Sequence, residues 1–154
     1  MANDILKGLK VAILVTDGFE QVELVEPRKA LDEAGAETSI VSPKSGRVRG
    51  WKFTDWGDEL PVDLSLDQAK PQDFDALLMP GGVINPDALR ILPNAVAFAK
   101  AFFDAGKPVA AICHGPWTVI ETGVSSRKPD DLPAFNRGII DRFSGAREQS
   151  RPTA

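Results

Sequence analysis

Short apolar runs that alternate with helix-forming segments constrain the fold of this chain more than any other feature. The runs Lys10–Thr16, Asp75–Met79 and Val109–Ile112 are each followed by a turn. Continuous apolar runs of this length are typical of strands buried on both faces of a parallel sheet. Helical spacing of apolar residues at Val22–Ala34 and Asn94–Ala105 separates them. The alternation predicts a three-layer α/β fold with a mainly parallel sheet and right-handed crossovers.

The segment 42–74 departs from this alternation. Glycines divide it into short runs, which predicts a β-hairpin after a short strand at Glu37–Val41. The hairpin carries the aromatic residues Trp51, Phe53 and Trp56. They could form a binding surface, or they could pack against a core edge or a subunit contact. We favour packing, because it is the more common use of aromatic residues in a hairpin.

Length and composition indicate a single domain. The chain has 154 residues, of which 43% are hydrophobic, and this is enough for one sizeable core. We expect the domain to span residues 1–147, with a last helix at Leu132–Phe143. Residues 148–154 are expected to form a flexible tail.

Charge and targeting signals narrow the expected partners. The net charge is -4 and the two signs are interspersed, so neither nucleic acid nor a membrane surface is an expected partner. The first residues lack the parts of a signal peptide, and no apolar run approaches the length of a membrane span. A single cysteine cannot form an internal disulfide, which favours the reducing cytoplasm.

The only cysteine and the only histidine of the chain are adjacent, at the end of an apolar run. Cys113 and His114 are followed by Gly115 and Pro116, a pair suited to the turn from a strand into a helix. At such an elbow the thiol faces the N–H groups of the next helix, whose partial positive charge favours thiolate. A lone buried cysteine is more often a small hydrophobic residue. The adjacent histidine and a second glycine-rich turn upstream nevertheless favour a reactive cysteine.

Three segments are expected to meet at one edge of the predicted sheet. Asp17–Glu23, the pair Gly81 and Gly82, and Cys113 each follow a predicted parallel strand. The carboxyl ends of parallel strands lie at the same edge, where open α/β sheets bind their ligands. The glycine pair can present backbone N–H groups to an anion. We therefore expect one site at this edge, with Cys113 in it.

Four motifs in this order resemble the DJ-1/PfpI family. They are Asp17–Leu24, Met79–Gly82, Gly106–Pro116 and Ser126–Asn136, and together they span nearly the whole chain. The resemblance is to the branch of PfpI-like intracellular cysteine peptidases and general stress proteins, which is related to class I glutamine amidotransferase domains. It implies a flavodoxin-like three-layer sandwich of the class I glutamine amidotransferase type.

The resemblance also implies catalytic roles. Cys113 would be the nucleophile, Glu23 the acid beside its sulfur and His114 the adjoining histidine. PfpI-like members take a further acid from a neighbouring subunit, and the matching position is Asp87, one methylene shorter than the glutamate often found there. The resemblance therefore implies a homodimer or a higher homo-oligomer.

Oxyanion and substrate-binding positions are implied at the glycine turns. An oxyanion site would lie near the N–H of Gly82, with Gly81 and Gly115 in the turns beside it. Glu20 is a secondary candidate, because its first role is expected to be a subunit contact or a solvated helix start, of which we favour the solvated helix start. We expect neither a metal ion nor an organic cofactor.

The chain departs from the family pattern after Val124, where it continues directly into Ser125. Family members place a strand, a helix and further strands there, a piece of the size of a βαβ unit, roughly 30 residues or more. We therefore expect an internal deletion near 124–125. It would leave a sheet edge and apolar helix faces exposed, which favours aggregation or a new oligomer.

Three functions fit these residues. In the first, suggested by family deglycases and glyoxalases, Cys113 attacks small reactive carbonyls such as methylglyoxal, or glycated proteins and peptides. Glu23 then moves protons and lactate is released. In the second, an intracellular cysteine peptidase, His114 takes the thiol proton, which needs unusual backbone geometry because neighbouring side chains diverge. In the third, Cys113 is a redox sensor, or the protein is a holdase chaperone of the stress response. We favour the first.

Overall fold

The computed structural model describes residues 4–118 and 132–150, in which strands and helices alternate. The strands are β1 (Lys10–Leu14), β2 (Phe19–Glu20), β3 (Glu37–Ser42), β4 (Arg47–Lys52), β5 (Asp55–Pro61), β6 (Leu64–Ser65), β7 (Ala76–Met79) and β8 (Val109–Ala111). The helices are α1 (Gln21–Glu33), α2 (Ile84–Leu89), α3 (Pro93–Asp104) and α4 (Leu132–Ser150).

A five-stranded sheet in the order β6-β3-β1-β7-β8 forms the centre of the molecule. All four of its strand pairings are parallel, as the apolar runs predicted. Every residue of β7 and β8 is buried, because helices cover both faces of the sheet. The carboxyl ends of β1, β7 and β8 lie side by side, which sets the position of the site.

Helices on the two faces of the sheet complete three layers. Leu24 and Leu31 of α1 share one apolar core with Phe135 and Ile139 of α4. Phe98 of α3 belongs to a second core on the opposite face, together with Phe102. The prediction of a three-layer α/β sandwich with a mainly parallel sheet is confirmed.

The hairpin predicted within residues 42–74 is present as the antiparallel pair β4 and β5. β2 pairs in parallel with β4, and this makes a second sheet in the order β2-β4-β5. β2 has only two residues, too few for the sequence pattern to reveal it. The run at residues 60–66, assigned to the hairpin, divides between β5 and β6, and β6 belongs to the central sheet.

Several boundaries differ from the predicted ones. α4 continues to Ser150, so residues 148–150, which we placed in the tail, are helical, and residues 151–154 lie outside the described part. α2 was not predicted, because it is a single short helix that contains Pro86. The predicted deletion near 124–125 and the start of the fourth motif also lie outside the described residues. Within the residues described, none of the helices is long and apolar enough to cross a bilayer.

Candidate active site

Cys113 lies at a sharp backbone turn directly after β8. Its φ is 57°, a left-handed conformation that residues with a Cβ rarely adopt. The N–H of Gly115 donates to the carbonyl oxygen of Ile112 at 2.8 Å and closes the turn, which a short 3-10 turn at Gly115–Trp117 follows. The elbow is thus present, but the rest of the helix expected after it lies outside the described residues. Backbone strain of this kind concentrates at functional sites, where it orients a reactive group.

The turn brings the neighbouring side chains of Cys113 and His114 together. The Sγ atom of Cys113 lies 3.5 Å from Nδ1 of His114. Adjacent side chains normally point apart, and the positive φ of Cys113 is the unusual geometry that this pair requires. The two groups are close enough to exchange a proton.

Glu23, in the first turn of α1, is the buried acid of the site. Its side chain is 1% exposed, and the N–H of Gly81 donates to Oε2 at 3.0 Å. Burial raises the pKa of Glu23 to about 7, and the nearby negative charge of Glu20 adds to the rise. Hydrogen bonds from Gly81 and from the Cys113 thiol oppose the rise but do not cancel it. A carboxyl with this pKa both takes and returns a proton at neutral pH.

The pKa of the Cys113 thiol is raised, contrary to the prediction that the elbow favours thiolate. Burial is the largest cause, and the adjacent Glu23 carboxylate disfavours a second negative charge. The N–H groups of Gly82 and His114 face the sulfur and lower the pKa, but their effect is smaller. The resting thiol therefore keeps its proton, and a neighbouring base has to remove it during attack.

The turn after β7 can hold only glycine at residue 81. A Cβ on Gly81 would lie 2.5 Å from the carbonyl oxygen of Ile112 and 2.6 Å from Oε2 of Glu23. Gly82 has a φ of 81°, and its N–H is directed at the sulfur of Cys113. The N–H of Gly81 thus binds Glu23, and the N–H of Gly82 faces both the Glu23 carboxylate and the sulfur of Cys113.

The implied oxyanion role of Gly115 stays a prediction, and the structure shows the N–H of this glycine in a backbone hydrogen bond. Its N–H donates to the carbonyl oxygen of Ile112 at 2.8 Å. A Cβ on Gly115 would lie 2.7 Å from the carbonyl oxygen of Met79, which shows that this glycine allows the elbow to pack against β7. At the elbow, the N–H of His114 is directed at the sulfur of Cys113.

Asn85 holds the glycine turn after β7 in place through hydrogen bonds, and the sequence analysis did not predict this role. It is completely buried, and its Oδ1 accepts a 2.7 Å hydrogen bond from the N–H of Thr16. Its Nδ2 donates to the carbonyl oxygens of Pro80 and Gly81 at 3.0 and 3.3 Å. One side chain thus joins the turns that follow β1 and β7.

A cavity of about 360 Å³ opens over Cys113. Its lining consists of Gly18, Glu20, Glu23, Trp51, Phe53, Gly82, Val83, Ile84, Cys113 and His114. Two of the three hairpin aromatics therefore face the site, contrary to the packing role that we favoured. Trp56 packs edge-on against Trp51, with ring centroids 5.2 Å apart.

Two acidic candidates lie in different places. Glu20 lines the cavity, and its Oε1 accepts a hydrogen bond from the N–H of Phe53 at 3.2 Å, so it is more than a solvated helix start. Asp87 lies on α2 outside this cavity lining, where it accepts a 2.7 Å hydrogen bond from Nε of Arg90. A role for Asp87 in a neighbouring subunit remains a prediction. Across residues 4–118 and 132–150, no cluster of three or more His, Cys, Asp or Glu side chains is arranged to hold a metal ion.

Comparison with known proteins identifies the family. The sequence profile described as "DJ-1/PfpI family" matches residues 9–128, which is most of the chain. The chain belongs to the DJ-1/PfpI family. The resemblance inferred from the motifs is therefore confirmed.

Curated relatives carry three kinds of name. General stress protein 18 of Bacillus subtilis is 39% identical over 167 residues, which covers 84% of this chain and 95% of the relative. A deglycase of Thermococcus kodakarensis is 43% identical over 116 residues, 75% of this chain and 67% of the relative. YraA of Bacillus subtilis, provisionally named a cysteine protease, is 36% identical over 167 residues, 86% of this chain and 96% of the relative.

Solved structures agree with the fold. The DJ-1/PfpI-family chain aligns with a two-domain protein of Anabaena variabilis that contains DJ-1/ThiJ/PfpI-like and ferritin-like domains, with a TM-score of 0.79 and 28% identity. The alignment covers 94% of this chain and 52% of that protein. Oxidized DJ-1 of Toxoplasma gondii aligns with a TM-score of 0.75 at 21% identity, over 92% of this chain and 97% of that one. The likeness to DJ-1 concerns the fold alone.

The alignment with General stress protein 18 is longer than this chain. It extends over 167 positions, whereas the chain has 154 residues, of which 84% are aligned. The relative therefore contains residues that have no counterpart here.

Proposed function

We propose that this chain is a cysteine-dependent enzyme that acts on reactive carbonyls, as a deglycase or glyoxalase that converts methylglyoxal to lactate. One observation carries the proposal: Glu23, with a pKa of about 7, is hydrogen-bonded to the nucleophile Cys113 inside a cavity. Relatives with deglycase names support the same chemistry, and one of them is named a protein/nucleic acid deglycase.

In the first step, Glu23 removes the proton of the Cys113 thiol as the sulfur adds to the aldehyde carbon. The raised pKa of the thiol requires such a base at neutral pH. The carbonyl π bond breaks, and its electron pair becomes an oxyanion that faces the N–H groups of Gly82 and His114. The protonated Glu23 then gives its proton to this oxygen, and a hemithioacetal results.

In the second step, the carboxylate of Glu23 takes the proton from the carbon attached to sulfur. The electron pair forms an enediolate, whose oxygen takes the hydroxyl proton of the former aldehyde carbon, and the neighbouring ketone carbon then receives a proton from Glu23. The former aldehyde carbon is oxidised to a thioester while the ketone carbon is reduced to a hydroxyl carbon. Water hydrolyses the thioester and releases lactate and the thiol, so the whole reaction adds one water to methylglyoxal.

Lactate formation from methylglyoxal by the purified chain tests this proposal. We expect turnover by the wild type and none by Cys113→Ala, with intact mass and folded content checked for both proteins. Equal lactate formation by the two proteins would contradict it.

A peptidase activity is the second candidate, supported by the 3.5 Å distance between Sγ of Cys113 and Nδ1 of His114. In this reaction His114 takes the thiol proton, the sulfur attacks a peptide carbonyl, and water hydrolyses the acyl-enzyme. Hydrolysis of a fluorogenic peptide that is lost in His114→Ala, while lactate formation persists, would favour this candidate. Retention of both activities in His114→Ala would exclude Cys113 and His114 as the catalytic pair of a peptidase.

We also propose that the protein is a homo-oligomer of the cytoplasm, in which Asp87 reaches a neighbouring site. The exposed apolar residues Val83, Ile84 and Ile91 lie on and beside α2, next to Asp87, and support a subunit contact there. Light scattering of wild type and Ile91→Glu tests this: the variant should have a smaller mass.

The alignment that exceeds the chain length supports our further proposal that a family unit is deleted near 124–125.

A further inference from the structure

Phe53 is a large apolar residue at a position that favours glycine. It is the first of two residues that connect β4 to β5, since Lys52 pairs with Asp55. Its φ is 56°, and positive φ at the first position of a two-residue hairpin turn is typical of glycine. Its side chain is 69% exposed, so neither turn geometry nor burial explains a phenylalanine here.

Residues of the site itself hold this turn in place. The N–H of Phe53 donates to Oε1 of Glu20 at 3.2 Å, and Nε1 of Trp51 donates to the carbonyl oxygen of Phe53 at 2.9 Å. Glu20, Trp51 and Phe53 all line the cavity over Cys113. The strained turn is therefore fixed so that the phenyl ring stands at the mouth of the cavity.

We propose that Phe53 is a specificity residue that contacts the substrate, and that the site favours carbonyl compounds with an aromatic or flat apolar group beside the reacting carbon. The substrate class rests on the proposed carbonyl function, whereas the ring contact does not. A ring that stacks on a bound aromatic group contributes a factor of about 3 to 10 in rate or affinity. Residues with a strained backbone, which depart from local conformational preference, are common at ligand contacts.

Alkylation of Cys113 tests the ring contact without any turnover. Because the chain has one cysteine, each added mass reports on this site alone. We compare the rate constants for N-benzyliodoacetamide and iodoacetamide, each divided by its rate constant with glutathione. The wild-type preference for the benzyl reagent should fall about 3- to 10-fold in Phe53→Gly and persist in Phe53→Tyr. Val25→Ala, which removes an exposed apolar side chain of α1 outside the cavity lining, should leave the preference unchanged.

Stability and mass separate this role from a structural one. Phe53→Gly should keep or raise the Tm, because glycine adopts the positive φ without strain. A lower Tm, an unchanged benzyl preference, or an equal fall in both rates would overturn the proposal. So would dissociation of an oligomer with the preference intact, since the ring would then be a subunit contact.

Turnover of phenylglyoxal to mandelate and of methylglyoxal to lactate distinguishes the two proposals. A loss of turnover in Phe53→Gly that is confined to phenylglyoxal supports both the carbonyl function and the specificity role of Phe53. Absence of turnover in the wild type, with the alkylation preference present, contradicts the carbonyl function and leaves the ring contact supported. Turnover with no difference between the two substrates in any variant contradicts the specificity role and leaves the carbonyl function supported.

Discussion

The N–H of Gly81 donates a 3.0 Å hydrogen bond to Oε2 of Glu23 and so joins the turn after β7 to the first turn of α1. This bond holds the carboxyl beside Cys113, although burial opposes its charge. The same turn directs the N–H of Gly82 at the sulfur. The proposed base, Glu23, and the proposed oxyanion donor, the N–H of Gly82, are thus positioned by one short segment.

Activity should rise with pH through about 7. Glu23 acts as a base only as a carboxylate, and its pKa is about 7. The charge of Glu20 contributes to this raised pKa, so Glu20→Gln should move the acid limb of kcat/KM to lower pH. The measurement is a pH–rate profile for lactate formation. Glu26→Gln, on the exposed side of α1, is the control and should leave the limb in place. If Glu20→Gln leaves the acid limb of kcat/KM at the same pH, then a group other than Glu23 titrates there.

Glu23 should make folding stability depend on pH. Its pKa rises from 4.5 to about 7 on folding, so the folded state holds the proton more tightly. The stabilisation is fully present below pH 4.5 and is lost as the pH rises through about 7. Between about pH 4 and 8, the Tm of Glu23→Gln should therefore rise relative to the Tm of the wild type as the pH increases. A Tm difference that is constant with pH would contradict the raised pKa.

Gly81→Ala should abolish activity and destabilise the fold. The added Cβ would meet backbone of Ile112 and Oε2 of Glu23 at distances that real Cβ atoms do not adopt. We expect at least about a 100-fold loss of kcat/KM and about 1–3 kcal/mol lower free energy of unfolding. Gly145→Ala is the control, since open space surrounds this glycine in α4, and it should retain activity. An active, stable Gly81→Ala protein would show that the turn is not tightly fitted.

Asn85→Asp should displace the glycine turn while it keeps the side-chain shape. The new carboxylate can still accept from Thr16, but it faces the carbonyl oxygens of Pro80 and Gly81 that Nδ2 now binds. We expect about a 10-fold or greater fall in kcat with little change in KM, and a slower alkylation of Cys113 at neutral pH. Asn94→Asp, at an exposed position early in α3, is the matched control. Normal kcat in Asn85→Asp would remove Asn85 as a positioning residue.

The sequence revealed the sheet and the position of Cys113 at its edge because their signals are local. Apolar runs identified β1, β7 and β8, and their shared edge placed Cys113 beside Gly82. Periodicity located α1 and α3 to within about a residue. Each of these inferences depended on residues that are adjacent in the chain.

Features that depend on contacts between residues distant in the chain could not be predicted from the sequence. Asn85 carries no local sign that it will be buried and bonded to Thr16, a residue far away in the chain. The thiol pKa was assigned the wrong direction because burial and the Glu23 charge outweigh the backbone N–H groups, and this balance appears only in three dimensions. The cavity position of Phe53 follows from the pairing of β2 with β4, which is too short to leave a pattern.

The kcat of Glu23→Gln for lactate formation tests the central claim most directly. The amide keeps the shape of the side chain but cannot take the proton from the Cys113 thiol or from carbon. We predict a fall of about 10²–10⁴-fold, with Glu26→Gln unchanged and Cys113→Ala inactive. Full turnover by a folded Glu23→Gln protein would contradict the assignment of Glu23 as the group that moves protons.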